Sequence, residues 1–335
     1  VHIDVGSFEP YRDGQAWIAY RQFCELFLYP ILSGARGSGS DHRLMLRGSL
    51  VGIPASMCWA RLAWSERLRP SLAVHVGLQA LVERRRARGT GTSSHSDLAV
   101  VGMTEKVVNR QMSGLKKLLT RIDRQVKNSH WSSYSDRSHY SPKAFQAKRD
   151  FVANVASSRM PTLVLDIGAN DGTFSKVVAP FADYVIAIDS DDAVIDSLYC
   201  SLKGSGKNIL PLVVDIADPS GGRGWANKER QSFFQRVRPD LVLCLAVIHH
   251  LVISASIPPE LVVGFLHSLQ ADLILEIPAM NDPMVALLLE QKTNADDYRD
   301  RYDGARITGL LEDHFEVRRR EEIGTRSILH LTPRT

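Results

Sequence analysis

Leu163–Ser175 reads LVLDIGANDGTFS, and the fold is decided there. Leu163, Val164, Leu165 and Ile167 make a short apolar run, the pattern of a strand buried on both faces of a parallel sheet. Asp166 stands where that strand ends. Gly168, Asn170 and Gly172 then mark a turn in which two positions lack a Cβ, so that a ligand can lie directly on the backbone. From Thr173 onward, FSKVVAPF reads as the following helix. A strand, a glycine-bearing turn and a helix N-terminus form a ligand site at the carboxyl edge of an open α/β sheet.

The spacing is not that of a dinucleotide site, because the glycines of G-x-G-x-x-G are missing and the pattern is D-x-G-x-N-x-G. A second acid, Asp189, ends the next apolar run, Tyr184 to Ile188. An acid at the tip of the second strand is placed to accept hydrogen bonds from both ribose hydroxyls of a nucleoside. Asp166 can hold an ammonium group, directly or through water, which a pyrophosphate-binding turn would disfavour. The stretch resembles motif I of class I S-adenosylmethionine-dependent methyltransferases. That resemblance implies S-adenosyl-L-methionine as cofactor, with Asp166, Gly168, Asn170 and Gly172 at its methionine end and Asp189 at its ribose. It further implies Asp215 and Ile216 at the adenine, with Phe174, Ser190 and Ala246 completing the cofactor site. Asn170 stands where the family more often has glycine, a tolerable change because Asn accepts left-handed backbone angles.

Composition places the chain among globular proteins: 335 residues, 44% hydrophobic, 23% charged. A formal net charge of +4 is too small to argue for nucleic acid by itself. Cys24, Cys58, Cys200 and Cys244 lie far apart with no C-x-x-C pair, which suggests neither a disulfide framework nor a zinc site. Reduced thiols and the lack of an evident signal peptide predict a cytoplasmic protein, while the missing initiating Met leaves a trimmed N-terminus open. The apolar run Leu241–Ser256 contains His249 and His250 and is too short to span a bilayer, so no membrane partner is expected.

Residues 1–140 read as a helical N-terminal domain that serves as substrate-binding lid. Asp13 can cap a helix in which Trp17, Tyr20, Phe23, Cys24, Phe27 and Leu28 recur at helical spacing, closed by Pro30 and Gly34. Its aromatic stripe either packs a core or walls a substrate. Leu44 to Ala87 reads as two or three helices punctuated by Pro54 and Pro70. The run from Glu83 to Arg88 either complements a helix dipole or forms a phosphate- or acid-binding patch. Thr104 to Lys127 is an amphipathic helix pattern. Ser141-Pro142 starts a helix through about Ser158. The family places such a helix over the cofactor, which makes Tyr134, Tyr140 and Lys148 candidates for that cover.

From residue 161 strand and helix alternate in the doubly wound manner. Strands are expected at 162–167, 184–189, 209–214, 240–245 and 272–277, followed by Phe315–Glu321 and Arg326–Leu331 around a short turn. The fold class is therefore α/β: a Rossmann-like doubly wound sheet over 141–335 with a closing antiparallel hairpin, the ending typical of the resembling family. A nicotinamide-binding fold would more often continue with another crossover.

The chemistry is expected at the carboxyl ends of the third to fifth strands. The loop Asp218–Phe233 carries Trp225, which can stack on adenine or substrate, and Arg223 and Arg230, which can pair with a carboxylate or phosphate. These, with Tyr140, are the substrate candidates. After the fourth strand come His249 and His250, suited to take the proton that an oxygen or nitrogen acceptor loses. As neighbours they are expected to point to different sides, so that one at most faces the acceptor. Glu276, in LILEIP, is the competing base. Asp282, Asp296 and Asp297 read as hydrated loop acids rather than a metal site. The segments YRQFCELFLYP, LRGSLVGIP, SGGRGWANKERQSF, LAVIHHL and EIPAMNDPM resemble a bacterial group of large class I methyltransferases that includes proteins similar to a host-specific nodulation protein. A small-molecule or glycan-type acceptor is the expectation. RNA or protein as acceptor, and a cofactor-binding scaffold without transfer activity, are the alternatives.

Overall fold

The computed structural model describes residues 17, 19–35, 41–87, 105–122 and 141–334. Asp13, Tyr134 and Tyr140 lie outside the described residues. The chain divides into two compact units, Val1–Lys127 and Asn128–Thr335.

The first unit is helical. Its opening helix runs through Tyr20–Phe23, a π-helical turn at Cys24–Leu28, and Tyr29–Gly34. Pro30 does not close it. The wider turn just ahead of the proline leaves its ring room, and the helix continues to Gly34. Asp41–Gly48, Ala55–Arg61 and Trp64–Arg67 follow, and then a helix from Pro70 to Ala87 with a second π turn at Ala73–Gly77. Glu105–Thr120 is the last described helix of the unit. Cys24, Leu28, Tyr29, Leu32, Leu72 and Val76 are at the centre of its core. The stripe of the first helix splits accordingly: Cys24 and Leu28 are buried, whereas Phe27 is exposed.

The second unit holds a seven-stranded sheet in the order β3-β2-β1-β4-β5-β7-β6. The strands are β1 (Leu163–Ile167), β2 (Tyr184–Asp189), β3 (Ile209–Val213), β4 (Leu241–Cys244), β5 (Asp272–Pro278), β6 (Phe315–Ile323) and β7 (Arg326–Pro333). The first five run parallel, and β7 enters antiparallel between β5 and β6. This is the doubly wound sheet with a closing hairpin expected from the sequence. The hairpin turns at Gly324, whose φ of 63° suits a residue without a Cβ.

Alternation along the strands feeds two cores. Val164, Val185, Leu243 and Ile274 face one side, where Phe151, Val152 and Val155 of the helix Pro142–Arg159 meet them. Leu165, Ile188, Val242 and Leu275 face the other, against the helices Pro259–Ser268, Pro283–Glu290 and Gly304–His314. The helix Pro142–Arg159 begins as its sequence predicts: the Ser141 hydroxyl accepts the Ala144 N–H at 3.2 Å, with Pro142 in the first turn. Strand order reverses between β1 and β4, and ligands of such sheets bind in the crevice beyond the carboxyl ends at that reversal.

Candidate active site

The turn after β1 is shaped by contacts on both flanks. Gly168 has φ of 71°, and a Cβ there would lie 2.4 Å from Val247 Cγ2. Gly172, also at φ 71°, would drive a Cβ to 2.6 Å from Leu198 Cδ1. Asn170 adopts φ of 47°, the left-handed conformation its residue type tolerates. The Gly168 and Ala169 N–H groups both donate to the Ile188 carbonyl at 2.9 Å, tying the turn to the end of β2. The loops after β1 and β4 thus touch at the point of strand reversal.

Asp189 stands against this turn. Its Oδ2 accepts the Asn170 N–H and its Oδ1 the Asp191 N–H, each at 3.0 Å. A carboxylate has about four lone-pair directions, so these two bonds do not exhaust it. Burial raises its pKa, while these backbone donors pull the other way. The exposed Ser190 follows it. On the next strand, the Val214 N–H donates to the Asp189 carbonyl, which brings Asp215 and Ile216 to the same edge. Asp215 is exposed, and its Oδ1 accepts the Ala217 N–H at 2.9 Å in a local turn rather than capping a helix.

Asp166 lies deeper, 2% exposed, with the Ser175 hydroxyl donating to its Oδ2 at 2.5 Å. Burial pushes its carboxyl up to about 7 despite that bond. Phe174, next to Ser175 in the chain, lies under the Lys148 ammonium, 4.5 Å from the ring centroid.

After β4, Ala246 takes a left-handed φ of 56°, uncommon for a residue with a Cβ. The backbone then bends into a π turn, His250–Ser254. His249 is 1% exposed and its buried Nδ1 has no hydrogen-bond partner. The ring of half-buried His250 lies 4.2 Å from it, so the two side chains do not diverge as adjacent positions were expected to. Burial, with His250, Arg326 and Lys148 adding to it, holds His249 well below the ordinary imidazole value. Burial and Arg326 lower His250 to about 4.

Glu276 is engaged on both oxygens. Its Oε2 is 2.5 Å from Lys148 Nζ, and its Oε1 is 3.5 Å from Arg326 Nη1. Arg326 also grips Asp282 through Nε at 2.8 Å and Nη2 at 3.1 Å, and the Thr325 hydroxyl donates to the same carboxylate at 2.7 Å. Two cations and two carboxylates are buried together beneath the site. Sequence reasoning paired neither Lys148 nor Arg326 with Glu276. The signal was there: a lone Glu inside an otherwise apolar strand needs buried cations. Among the described residues no group of three or more His, Cys, Asp or Glu is placed to hold a metal. Asp296 and Asp297 are exposed.

The loop after β3 folds into a small antiparallel bridge, Arg223 to Arg230, held by two backbone hydrogen bonds of 2.9 and 3.0 Å. Trp225 at its tip is 84% exposed. It contributes nothing to the core.

No family model matches the chain. The chain is 30% identical over 289 residues to Nodulation protein NoeA of Rhizobium meliloti (strain 1021), covering 86% of this chain and 60% of that protein. It therefore resembles a nodulation protein, as its segments suggested. It spans about three fifths of that relative's length. Among solved structures it is similar to N-methyltransferase NodS from Bradyrhizobium japonicum WM9 in complex with S-adenosyl-l-homocysteine. There the identity is 12%, the coverage 63% of this chain and 96% of that one, and the TM-score 0.43. It is also similar to magnesium protoporphyrin IX methyltransferase (ChlM) from Synechocystis PCC 6803 with bound SAH. That match has 19% identity, 69% and 100% coverage and a TM-score of 0.41. The fold assignment stands on strand order and register, independently of these distant likenesses.

Proposed function

We propose that the second unit is an S-adenosylmethionine-dependent methyltransferase acting on an oxygen or nitrogen of a small-molecule or glycan-type acceptor. The observation that carries this reading is the contact between Asn170 N–H and Asp189 Oδ2, which sets an acid against a glycine turn at the reversal of strand order. The residues present suit the cofactor. Asp189 and Ser190 would hold the ribose hydroxyls, Asp215 and the Ile216 backbone the adenine, and the turn Gly168–Gly172 with Asp166, Phe174 and Ala246 the methionine end. When bound, S-adenosylmethionine supplies a methyl group on a positively charged sulfur.

The chain's own task is to align the acceptor, keep water out and receive a proton. His249 and His250 are the leading proton acceptors. Their low pKa keeps a lone pair available, and the unpartnered Nδ1 of His249 offers a place for an acceptor hydrogen. A hydroxyl that is gaining a methyl becomes strongly acidic, so a weakly basic imidazole suffices to take its proton. Glu276, as competing base, would first have to leave Lys148 and Arg326. Arg223, Arg230 and Trp225 are proposed to meet the acceptor from the loop after β3.

A screen of candidate acceptors with a methyl-labelled donor tests the activity. His249→Ala and His250→Ala should differ in turnover, one of them falling by about a hundredfold or more. If both retain full turnover while a substrate is methylated, the proton acceptor lies elsewhere.

A further inference from the structure

The loop after β3 is a built element that the cofactor site does not account for. Its two limbs meet in one antiparallel register. At the base the Phe233 N–H donates to the Ser220 carbonyl at 2.9 Å, and further out Arg223 and Arg230 exchange backbone hydrogen bonds of 2.9 and 3.0 Å. The tip turns at Ala226 and Asn227, with φ of 53° and 58°, the pair of positive angles that a type I′ hairpin turn requires. Across it the Lys228 N–H donates to the Trp225 carbonyl at 3.1 Å. The limbs lie close together, since a Cβ on Gly222 would collide with the Asn227 carbonyl oxygen and one on Gly224 with the Glu229 side chain.

Residues that exchange both backbone hydrogen bonds across an antiparallel pair stand directly opposite one another, with their side chains on the same face. Arg223 and Arg230 therefore carry two guanidinium groups on one face of the hairpin, a placement that like charges disfavour. Among the described residues neither side chain has an ion pair or a hydrogen bond to relieve it. Trp225 follows Arg223 by two residues, a span of at most about 7 Å, and its ring is exposed. The first limb leaves the β3 edge just after Asp215 and Ile216. The second ends at Phe233, buried in the same core as Val247 and Ile248, which lead to His249. The hairpin is thus rooted between the cofactor edge and the proposed proton acceptors.

Resting on the methyltransferase reading, we propose that the acceptor is a phosphate monoester of a ring compound, with Arg223 and Arg230 clamping the phosphate and Trp225 stacking on the ring. The arginine pair selects the anion. Two adjacent guanidinium groups present forked N–H donors that the oxygens of one phosphate accept together, and a phosphate dianion balances both charges. A carboxylate balances one and leaves the other facing it. The exposed Trp225 face, within reach of the pair, adds contact area for a flat ring. A nucleic-acid strand would need a longer line of phosphate contacts than one pair supplies.

Isothermal titration of the full chain with phenyl phosphate, inorganic phosphate and benzoate, at constant ionic strength and with or without saturating S-adenosylmethionine, tests this. Phenyl phosphate is expected to bind about threefold to tenfold more tightly than inorganic phosphate, and benzoate more weakly than either. Arg223→Gln and Arg230→Gln should each weaken both phosphates about tenfold or more. Trp225→Ser should bring phenyl phosphate down to the level of inorganic phosphate. S-adenosylmethionine should bind these variants as it binds the parent, which checks that they are folded. Phosphate binding that is absent, or unchanged in both arginine variants, would overturn the clamp, as would benzoate binding as tightly as phenyl phosphate. Competition between phenyl phosphate and S-adenosylmethionine would assign the anion to the cofactor's own site and refute a role for the clamp in holding the acceptor. An oligonucleotide that binds through the same arginines far more tightly than phenyl phosphate would refute it in favour of a nucleic-acid acceptor. A parent chain that binds S-adenosylmethionine but no phosphate defeats the clamp alone, whereas one that binds phosphate but no S-adenosylmethionine defeats the methyltransferase reading beneath it.

Discussion

Asp166 and His250 depart from ordinary acid–base behaviour in opposite directions, and each gives a pH dependence whose sign can be worked out. The Asp166 carboxyl titrates at about 7 rather than 3.8, so the folded protein favours its protonated form, and its burial costs stability as pH rises from about 4 to 7. Binding a cation beside it requires the ionised form. Affinity for S-adenosylmethionine should therefore fall about tenfold per pH unit below 7, and Asp166→Asn should abolish that dependence. Calorimetric titrations between pH 5 and 8 would measure both. His250, lowered to about 4, keeps its lone pair through the physiological range. With saturating cofactor and acceptor, turnover should hold down to about pH 5 and fall as His250 protonates near 4. An acidic limb at 6.5 would contradict the environment described for both rings.

At the scale of elements, the turn after β1 and the buried charge cluster are the parts most sensitive to substitution. Gly168→Ala combines a left-handed φ with a Cβ 2.4 Å from Val247, whereas Gly204→Ala has a φ of 75° but open space around it. Thermal melts should show about 1 kcal/mol lost at Gly204 and about 2 kcal/mol or more beyond that at Gly168. Equal losses would mean that the approach of Val247 is easily relieved. Lys148→Met removes the nearest cation from the buried Glu276 carboxylate, at a cost of about 3–5 kcal/mol. The elements themselves were legible in the sequence because local pattern determines them: apolar runs for β1 and β4, Ser141-Pro142 for a helix start, and Gly324 for the closing turn. What joined them was not. Lys148 and Glu276 are separated by 128 residues, and no local periodicity records that pair. The left-handed Ala246 and the π turn at His250–Ser254 are likewise backbone choices that no residue type there announces. The path of the first helix through Pro30 was missed for the same reason, since the π turn ahead of it depends on packing.

At the scale of the whole molecule, the two units have separate cores. Each is expected to unfold as its own cooperative transition. S-adenosylmethionine at about a hundred times its dissociation constant should stabilise the second unit by about 2.7 kcal/mol, raising one transition and leaving the other in place. A scan in which both transitions move together would show the units to be thermodynamically coupled. The account as a whole depends on the edge of the sheet at Asp189 gripping a cationic nucleoside. Isothermal titration of the full chain with S-adenosylmethionine and with NAD, repeated on Asp189→Ala, tests that most directly. The account predicts saturable binding of S-adenosylmethionine, none of NAD, and a loss of about 2–4 kcal/mol on removing the carboxylate. Tight NAD binding, or unchanged affinity in Asp189→Ala, would contradict it.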